Sequence, residues 1–415
     1  MALHEDQLEM LGERLVPLFQ QFEAAVISDI ARRLRKTGRL TETAELMAKG
    51  LRGKGFSPST IRRQVMIAIK ADAALQKEIA ENTLAAKQAL QEEINILRSK
   101  MDPEIRAAVE TAADFAFNND LEVWKGDRLP IKGSAFERLV QAMRDRVGDE
   151  LVNLTKTTAF RFQSGMHSYS QDTYVNSVNL AFTKVATGTY SYQQALEEAV
   201  RELAKSGLRA VNFESGKTMQ LDSAVRGAIL TASSQLAGQI TMMNVDETGV
   251  ELVEVSKHWG ARTGRGHGNH AAWQGGIYRV NGSDEKHRNL EEATGYPSDP
   301  KGLHGYNCRH SFYPFWEGIS KPNEWPEEPE PVTIDGKTYT YYQLTQMQRK
   351  MEREIRATQR EVYAYREAGL MQKASQAKSR AKAMIEEYNQ FSDSVGISPK
   401  PSRLRVVYVR KQQAS

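Results

Sequence analysis

The segment SPSTIRRQVMIAIKADAALQKEIAENTLAAKQALQEEINILRSKM, residues 57–101, decides the fold class. Ser57-Pro58 is a helix start, with Ser as N-cap and Pro at the first helical position, where its missing N–H has no partner to lose. Apolar residues then recur at helical spacing: Ile61, Val65, Ala68, Leu75 and Ile79, followed by Ala86, Leu90, Ile94, Leu97 and Met101. That period lays one stripe along an α-helix, and the Lys and Glu residues between keep its other faces wet. Asp102-Pro103 is predicted to break or kink this helix and cap a new one through Val109, Ala112 and Phe115. On the N-terminal side, Leu8, Leu11, Leu15, Leu18, Phe22 and Val26 give a second stripe, closed by a turn at Gly50, Gly53 and Gly55. Residues 1–117 therefore read as a long-helix region, a rod or bundle that presents a face to a partner.

Residues 118–248 read as a helical domain with short connections. Ala135 to Phe160 is amphipathic, Ser191 to Leu203 is a helix ended by Gly207, and Lys217 to Asp222 is a loop. A helix from Asp222 to Met243 carries Val225, Ile229, Ser233 and Leu236 on one side. The texture changes at Gly249. Val250, Leu252, Val253 and Val255 form a β-prone run, and Gly, His, Trp, Tyr and Asn crowd the chain as far as Trp316, so residues 249–320 read as a loop-rich α+β module. Residues 321–342 are a Pro-rich linker, expected to be extended, and a hairpin turning at Asp335-Gly336. Residues 343–393 form a coiled-coil-like helical segment with a seam at Leu344, Met347, Met351, Ile355, Thr358, Val362 and Tyr365. The seam resumes after Gly369 at Ala374, Ala377, Ala381, Met384, Tyr388 and Phe391. The fold class is mainly α, with long helices and one small α+β module.

The chain has 415 residues, 40% hydrophobic and 26% charged, with a formal net charge of only +4. Such a charge gives no strong field for steering a polyanion. The exception is the tail, residues 394–415, which holds no acid and five bases: Lys400, Arg403, Arg405, Arg410 and Lys411. It is a candidate contact for DNA or an acidic protein surface, against the plainer reading of a solvated, disordered end. Cys308 is the single cysteine, so an intrachain disulfide is ruled out. Met1-Ala2-Leu3-His4-Glu5-Asp6 lacks the layout of a signal peptide, and no run of about 18 apolar residues suggests a membrane span. The expectation is a protein made and folded in the cytoplasm, with no membrane span.

The chemistry-bearing residues gather between Lys257 and Phe315. This stretch holds His258, His267, His270, His287 and His304, then Cys308 and His310. Three readings compete. In the first, Cys308 and His310 point to one face of a strand and His267 or His270 completes a structural zinc site. In the second, Cys308 and a histidine form a nucleophile pair. In the third, the same residues hold a loop-rich module together as a knot of buried thiol and hydrogen-bonded imidazoles. Trp259, Trp273, Trp316, Tyr278, Tyr306 and Tyr313 would supply the core of that knot, with Arg309 binding carbonyls or a carboxylate. The third reading is preferred. There is no P-loop, no GxGxxG after a strand and no GxSxG elbow, and Gly264 to Gly268 reads as a flexible loop.

Two blocks carry a resemblance. His270, Trp273, Gln274 and Gly275 form His-x-x-Trp-Gln-Gly, and Gly305 to Phe315, containing Asn307, Cys308, Arg309 and His310, follows about 30 residues later. Together they resemble the phage minor capsid protein 2 family and, more distantly, the Mu F-type minor head proteins. In the latter, a second cysteine often stands at the place of His310. Tyr192 to Leu196, Gly207, Ser215-Gly216-Lys217, Ala224-Val225-Arg226 and Val253 to Arg262 resemble the family's lead-in. The resemblance implies a minor head protein at the portal vertex that assists head assembly or DNA delivery. Its implied partners are the portal protein, capsid proteins and packaged DNA, and its place is the virion. On this reading the chain is not an enzyme, and deleting residues 1–117 should weaken portal association more than removing the tail. The rival is a metal-dependent hydrolase or toxin-like enzyme centred on His270, Cys308 and His310.

Overall fold

The computed structural model describes residues 5–38, 42–162, 165, 167–188, 190–212 and 217–408. Ser215, Gly216, Arg410 and Lys411 lie outside the described residues. In chain order the first elements are α1 (Glu5–Gly38), α2 (Glu42–Gly53), α3 (Pro58–Ala71), α4 (Ala73–Val123) and α5 (Ser134–Lys156). There follow β1 (Thr158–Arg161), β2 (His167–Tyr169), α6 (Thr173–Ala186), α7 (Tyr192–Ser206), β3 (Arg209–Val211), β4 (Thr218–Gln220) and α8 (Leu221–Thr248). The module holds β5 (Leu252–Val255), β6 (Ile277–Arg279), α9 (Leu290–Thr294) and β7 (Phe312–Phe315). The chain continues with β8 (Val332–Ile334), β9 (Lys337–Tyr339), α10 (Tyr341–Glu367), α11 (Met371–Ser394) and α12 (Pro401–Leu404). The fold is mainly α with a small β-containing module, as the sequence predicts.

Of the α1 stripe, Leu11, Leu15, Phe22 and Val26 are buried and Leu18 partly so, and Phe19, Ile27, Ile30 and Leu34 widen the buried face. They pack on α4 and α8, and beyond them on α7 and α10. One apolar core therefore draws side chains from Leu11 at one end of the chain to Ala377 near the other. The break expected at Asp102-Pro103 is not there. α4 is a 51-residue helix that runs through Pro103, about 77 Å at 1.5 Å per residue. Leu97 and Met101 before the proline and Ile105 and Ala108 after it are buried in the same core. That shared burial offsets the one backbone hydrogen bond that Pro103 cannot make, so the helix continues through it. The break falls instead at Asp72, which closes α3 in an extended conformation and accepts the Leu75 N–H at 3.0 Å to start α4.

The stretch 118–248 is not helical throughout. α5 stops at Lys156, and Thr158 to Phe160, read above as the end of a helix, are strand. The expected loop at Lys217 to Asp222 contains β4. These strands form an antiparallel sheet in the order β2-β1-β3-β4, with Phe160 opposite Ser168 and Ala210 opposite Met219. Strands of three or four residues fall below the window over which alternation can be recognised. α7 follows its expectation closely: Ser191 and Gln194 form a capping box and Gly207 ends the helix.

The module's sheet runs β6-β5-β7, all antiparallel, with Val253 between Tyr278 and Pro314. Pro314 is tolerated because β7 is an edge strand. Trp273, Tyr278 and Tyr313 are buried as expected, whereas Trp259 is 40% and Tyr306 64% exposed, so these two are not core. The linker has no regular structure from 321 to 331, yet it is fastened to the module. Asn323 donates its backbone and side-chain N–H groups to Glu254, both at 2.9 Å.

α10 and α11 form an antiparallel hairpin, with Gln348 bonded to Ser392 and Tyr388 to Glu352. The tail does not run off as a solvated end over its described part. Val395, Ile397, Arg403 and Leu404 are buried, and Tyr408 stacks on Tyr363 at 4.9 Å. Its apolar residues (Val395, Ile397, Leu404) outweigh the bases that suggested disorder.

Candidate functional site

The two sequence blocks meet. After β5 the chain enters a loop with two short 3-10 turns, Gly266–Gly268 and His270–Ala272. The second block approaches from the other side through a tight turn at Gly302 to Asn307. A Cβ on Gly305 would lie 2.2 Å from the Pro300 carbonyl oxygen, so only glycine permits this approach. Asn307 takes φ +54, which Asn tolerates better than most residues.

His270, Cys308 and His310 come together, each about 2% exposed or less, with one ligand atom of each within 4.8 Å of the others. Cys308 Sγ lies 3.6 Å from His310 Nδ1. His310 Nε2 donates to Gln274 Oε1 at 2.9 Å, and the His258 backbone N–H donates to the same oxygen at 3.2 Å. His270 Nε2 donates to the Lys301 carbonyl at 2.8 Å. Rings wall the group: His258 stacks on His310 at 4.2 Å, and Trp273 meets it edge-on at 4.8 Å. Trp273 is itself held by its Nε1–H, which donates to the His267 carbonyl at 3.0 Å.

Burial sets the protonation states. It pulls His270 down to about 4 and His310 well below its ordinary value, so both rings are neutral at pH 7. It pushes the Cys308 thiol up to about 11, away from the lowered value that activates a nucleophilic cysteine. His267 does not join the trio; its Nδ1 pairs with Asp299 Oδ2 at 3.0 Å. Gly275 takes φ +74 where the loop turns toward β6.

Sequence reasoning missed the part played by His304. It is buried on the far side of Cys308's turn, with Nδ1 2.7 Å from Ser234 Oγ on α8, and burial lowers it to about 3. Gly238 makes room for it, since a Cβ there would lie 2.8 Å from the His304 ring. A lone histidine among aromatic neighbours gave no sequence signal for this latch.

A second feature is a cleft of about 600 Å³ between β4, α8, α10 and the turn at Asn307. Among the described residues, nine Lys and Arg line it against three acids. It brings Asn307 and Arg309 of the second block together with Arg403 of the tail, and adds Arg209, Arg226, Arg349 and Arg353. Lys400 and Arg405 are not among its lining residues; the Arg405 carbonyl accepts from Gln20. Asp222 answers part of the charge through Arg356, at 2.8 Å. Burial alone would raise the Asp222 carboxyl, but Arg356 and Arg360 outweigh it and hold it low. Arg349, Arg353 and Arg356 recur at helical spacing on α10, a basic face that the near-neutral total charge conceals.

Among the described residues no helix is long and apolar enough to cross a membrane. A family model described as phage minor capsid protein 2 matches residues 3–393. A curated relative, a structural protein of Lactococcus phage LL-H, is 24% identical over 187 residues, covering 44% of this chain. The match spans 47%, about half, of that relative's length. No solved structure matches the chain. With a family match over nearly all of its length, and with the two motif blocks folded against each other, the chain belongs to the phage minor capsid protein 2 family.

Proposed function

We propose that this protein is a structural component of the phage virion that works at the portal vertex, holding portal and capsid proteins through its helical faces and packaged DNA through its cationic cleft. The family match over residues 3–393 carries the virion role, and the relative named as a phage structural protein supports it. The cleft supports the contact with DNA: its excess of guanidinium and ammonium groups suits a phosphodiester backbone, whose affinity comes from charge neutralisation. Host cytoplasm during assembly and virion afterwards follow from the same reading.

The enzyme rival draws little support from the geometry. His270, Cys308 and His310 are each about 2% exposed or less, and burial raises the Cys308 thiol, away from the ionised form that attacks a substrate.

Removing residues 1–117 is not a clean test of partner binding, because α1 and α4 supply much of the shared core. Surface substitutions are. Leu46, Ile67 and Leu84 are more than half exposed, and changing them to Glu should release the protein from the portal while leaving its unfolding midpoint in place. Arg349→Glu with Arg353→Glu should weaken binding to duplex DNA and lower the slope of log affinity against log salt by about 2. Portal recovery and DNA affinity both equal to the parent protein would refute the proposal.

A further inference from the structure

We propose that His270, Cys308 and His310 bind a zinc ion that fastens the histidine–tryptophan loop to the segment entering β7. The donor set is one thiolate and two imidazoles, the ligands zinc prefers. The spacing fits. With Zn–S near 2.3 Å and Zn–N near 2.0–2.1 Å, a tetrahedral site places sulfur and nitrogen about 3.6 Å apart, and Cys308 Sγ and His310 Nδ1 are 3.6 Å apart. All three donor atoms lie within 4.8 Å of one another, so ligation requires His270 to close by about 1 Å.

The hydrogen bonds around the group point the same way. A ligating histidine characteristically gives its other ring N–H to an oxygen, which fixes the tautomer and aims the lone pair at the metal. His270 does this toward the Lys301 carbonyl and His310 toward Gln274 Oε1. The Gln274 orientation is itself fixed, because the His258 backbone N–H requires an acceptor at that same atom. In both rings Nδ1 is therefore left as the lone-pair nitrogen, turned away from the acceptor. Binding replaces the Cys308 S–H proton with the Zn–S bond and releases that proton to solvent, with no change of oxidation state. Three protein ligands leave one coordination position of the zinc to a water, and burial of all three residues keeps the ion inside the module, between the two segments it joins.

The test is metal analysis of the full chain purified without chelator, followed by exchange with Co²⁺. The expected result is about one zinc per chain, a sulfur-to-cobalt charge-transfer band on exchange, and a lowered thermal midpoint after chelation. Cys308→Ser and His310→Ala should each lose the metal, while His267→Ala, whose ring faces Asp299, should retain it. Should the ligand variants fail to fold, the cobalt spectrum of the unaltered chain still decides. A protein refolded in ZnCl₂ that holds no metal overturns the proposal, as does cobalt binding without a thiolate band.

Discussion

Replacing Arg360 with Met should be among the most damaging single changes in the helical part, and the damage should depend on pH. Arg360 on α10 is 1% exposed; its Nε donates to the Ala204 carbonyl at 2.8 Å and its Nη1 lies 3.5 Å from Glu23 Oε2 on α1. Glu23 Oε1 meanwhile accepts the Leu208 N–H at 2.7 Å. Gly207 admits this pair, since a Cβ there would lie 2.6 Å from Glu23 Oε1. Arg360→Met leaves Glu23 buried without its cation, a loss of about 3–5 kcal/mol. Glu23→Gln strands the cation instead, though Ala204 and the charge of Asp222 still serve it, so the loss is smaller. The double variant removes both charges and should lose at most about 2 kcal/mol, giving a coupling of about 2–3 kcal/mol. Burial already raises the Glu23 carboxyl, Arg360 opposing it, and removing Arg360 raises it further. A raised acid contributes stability below its unfolded pKa that is lost as pH rises through the folded one. The Arg360→Met penalty should therefore be smallest near pH 4.5 and grow toward pH 8. Urea midpoints of the four proteins at both pH values measure this. Simple additivity, or a penalty independent of pH, would refute the reasoning.

Asp120 is buried in α4 against Thr241 and Asn244 of α8, and burial, only partly offset by those hydrogen bonds, raises it to about 7. By the same sign, stability should fall as pH rises from about 4 to about 8, and Asp120→Asn should flatten the curve and gain about 2–4 kcal/mol at pH 8; urea unfolding across pH measures both. Gly238→Ala pushes a methyl to 2.8 Å from the buried His304 ring and should cost about 1–3 kcal/mol despite the better helix propensity of alanine. A near-UV signal from Trp273 should report that loss in the module.

The long helices were legible because burial repeats along them: Ile61, Val65 and Leu75 face the core as their spacing requires. Pro103 misled because local backbone chemistry was weighed without the core that spans it. β1 to β4 escaped because strands this short carry no periodicity, and they exist through pairing between distant segments such as Thr158 and Ala210. In the module, the two motif blocks were visible and their meeting was expected, but which histidine joins Cys308 was not. The three-residue step from His267 to His270 fits either, and only the path of the turn past Lys301 selects His270. The cationic cleft was hidden for a different reason. A total charge averages over the surface, whereas Arg209, Arg309, Arg349 and Arg403 converge only after folding.

Quantitative mass spectrometry of purified virions tests the central claim most directly. The account predicts that the chain is present in intact heads, at a copy number far below that of the major capsid protein. A chain abundant in the infected-cell lysate yet absent from purified heads would contradict it.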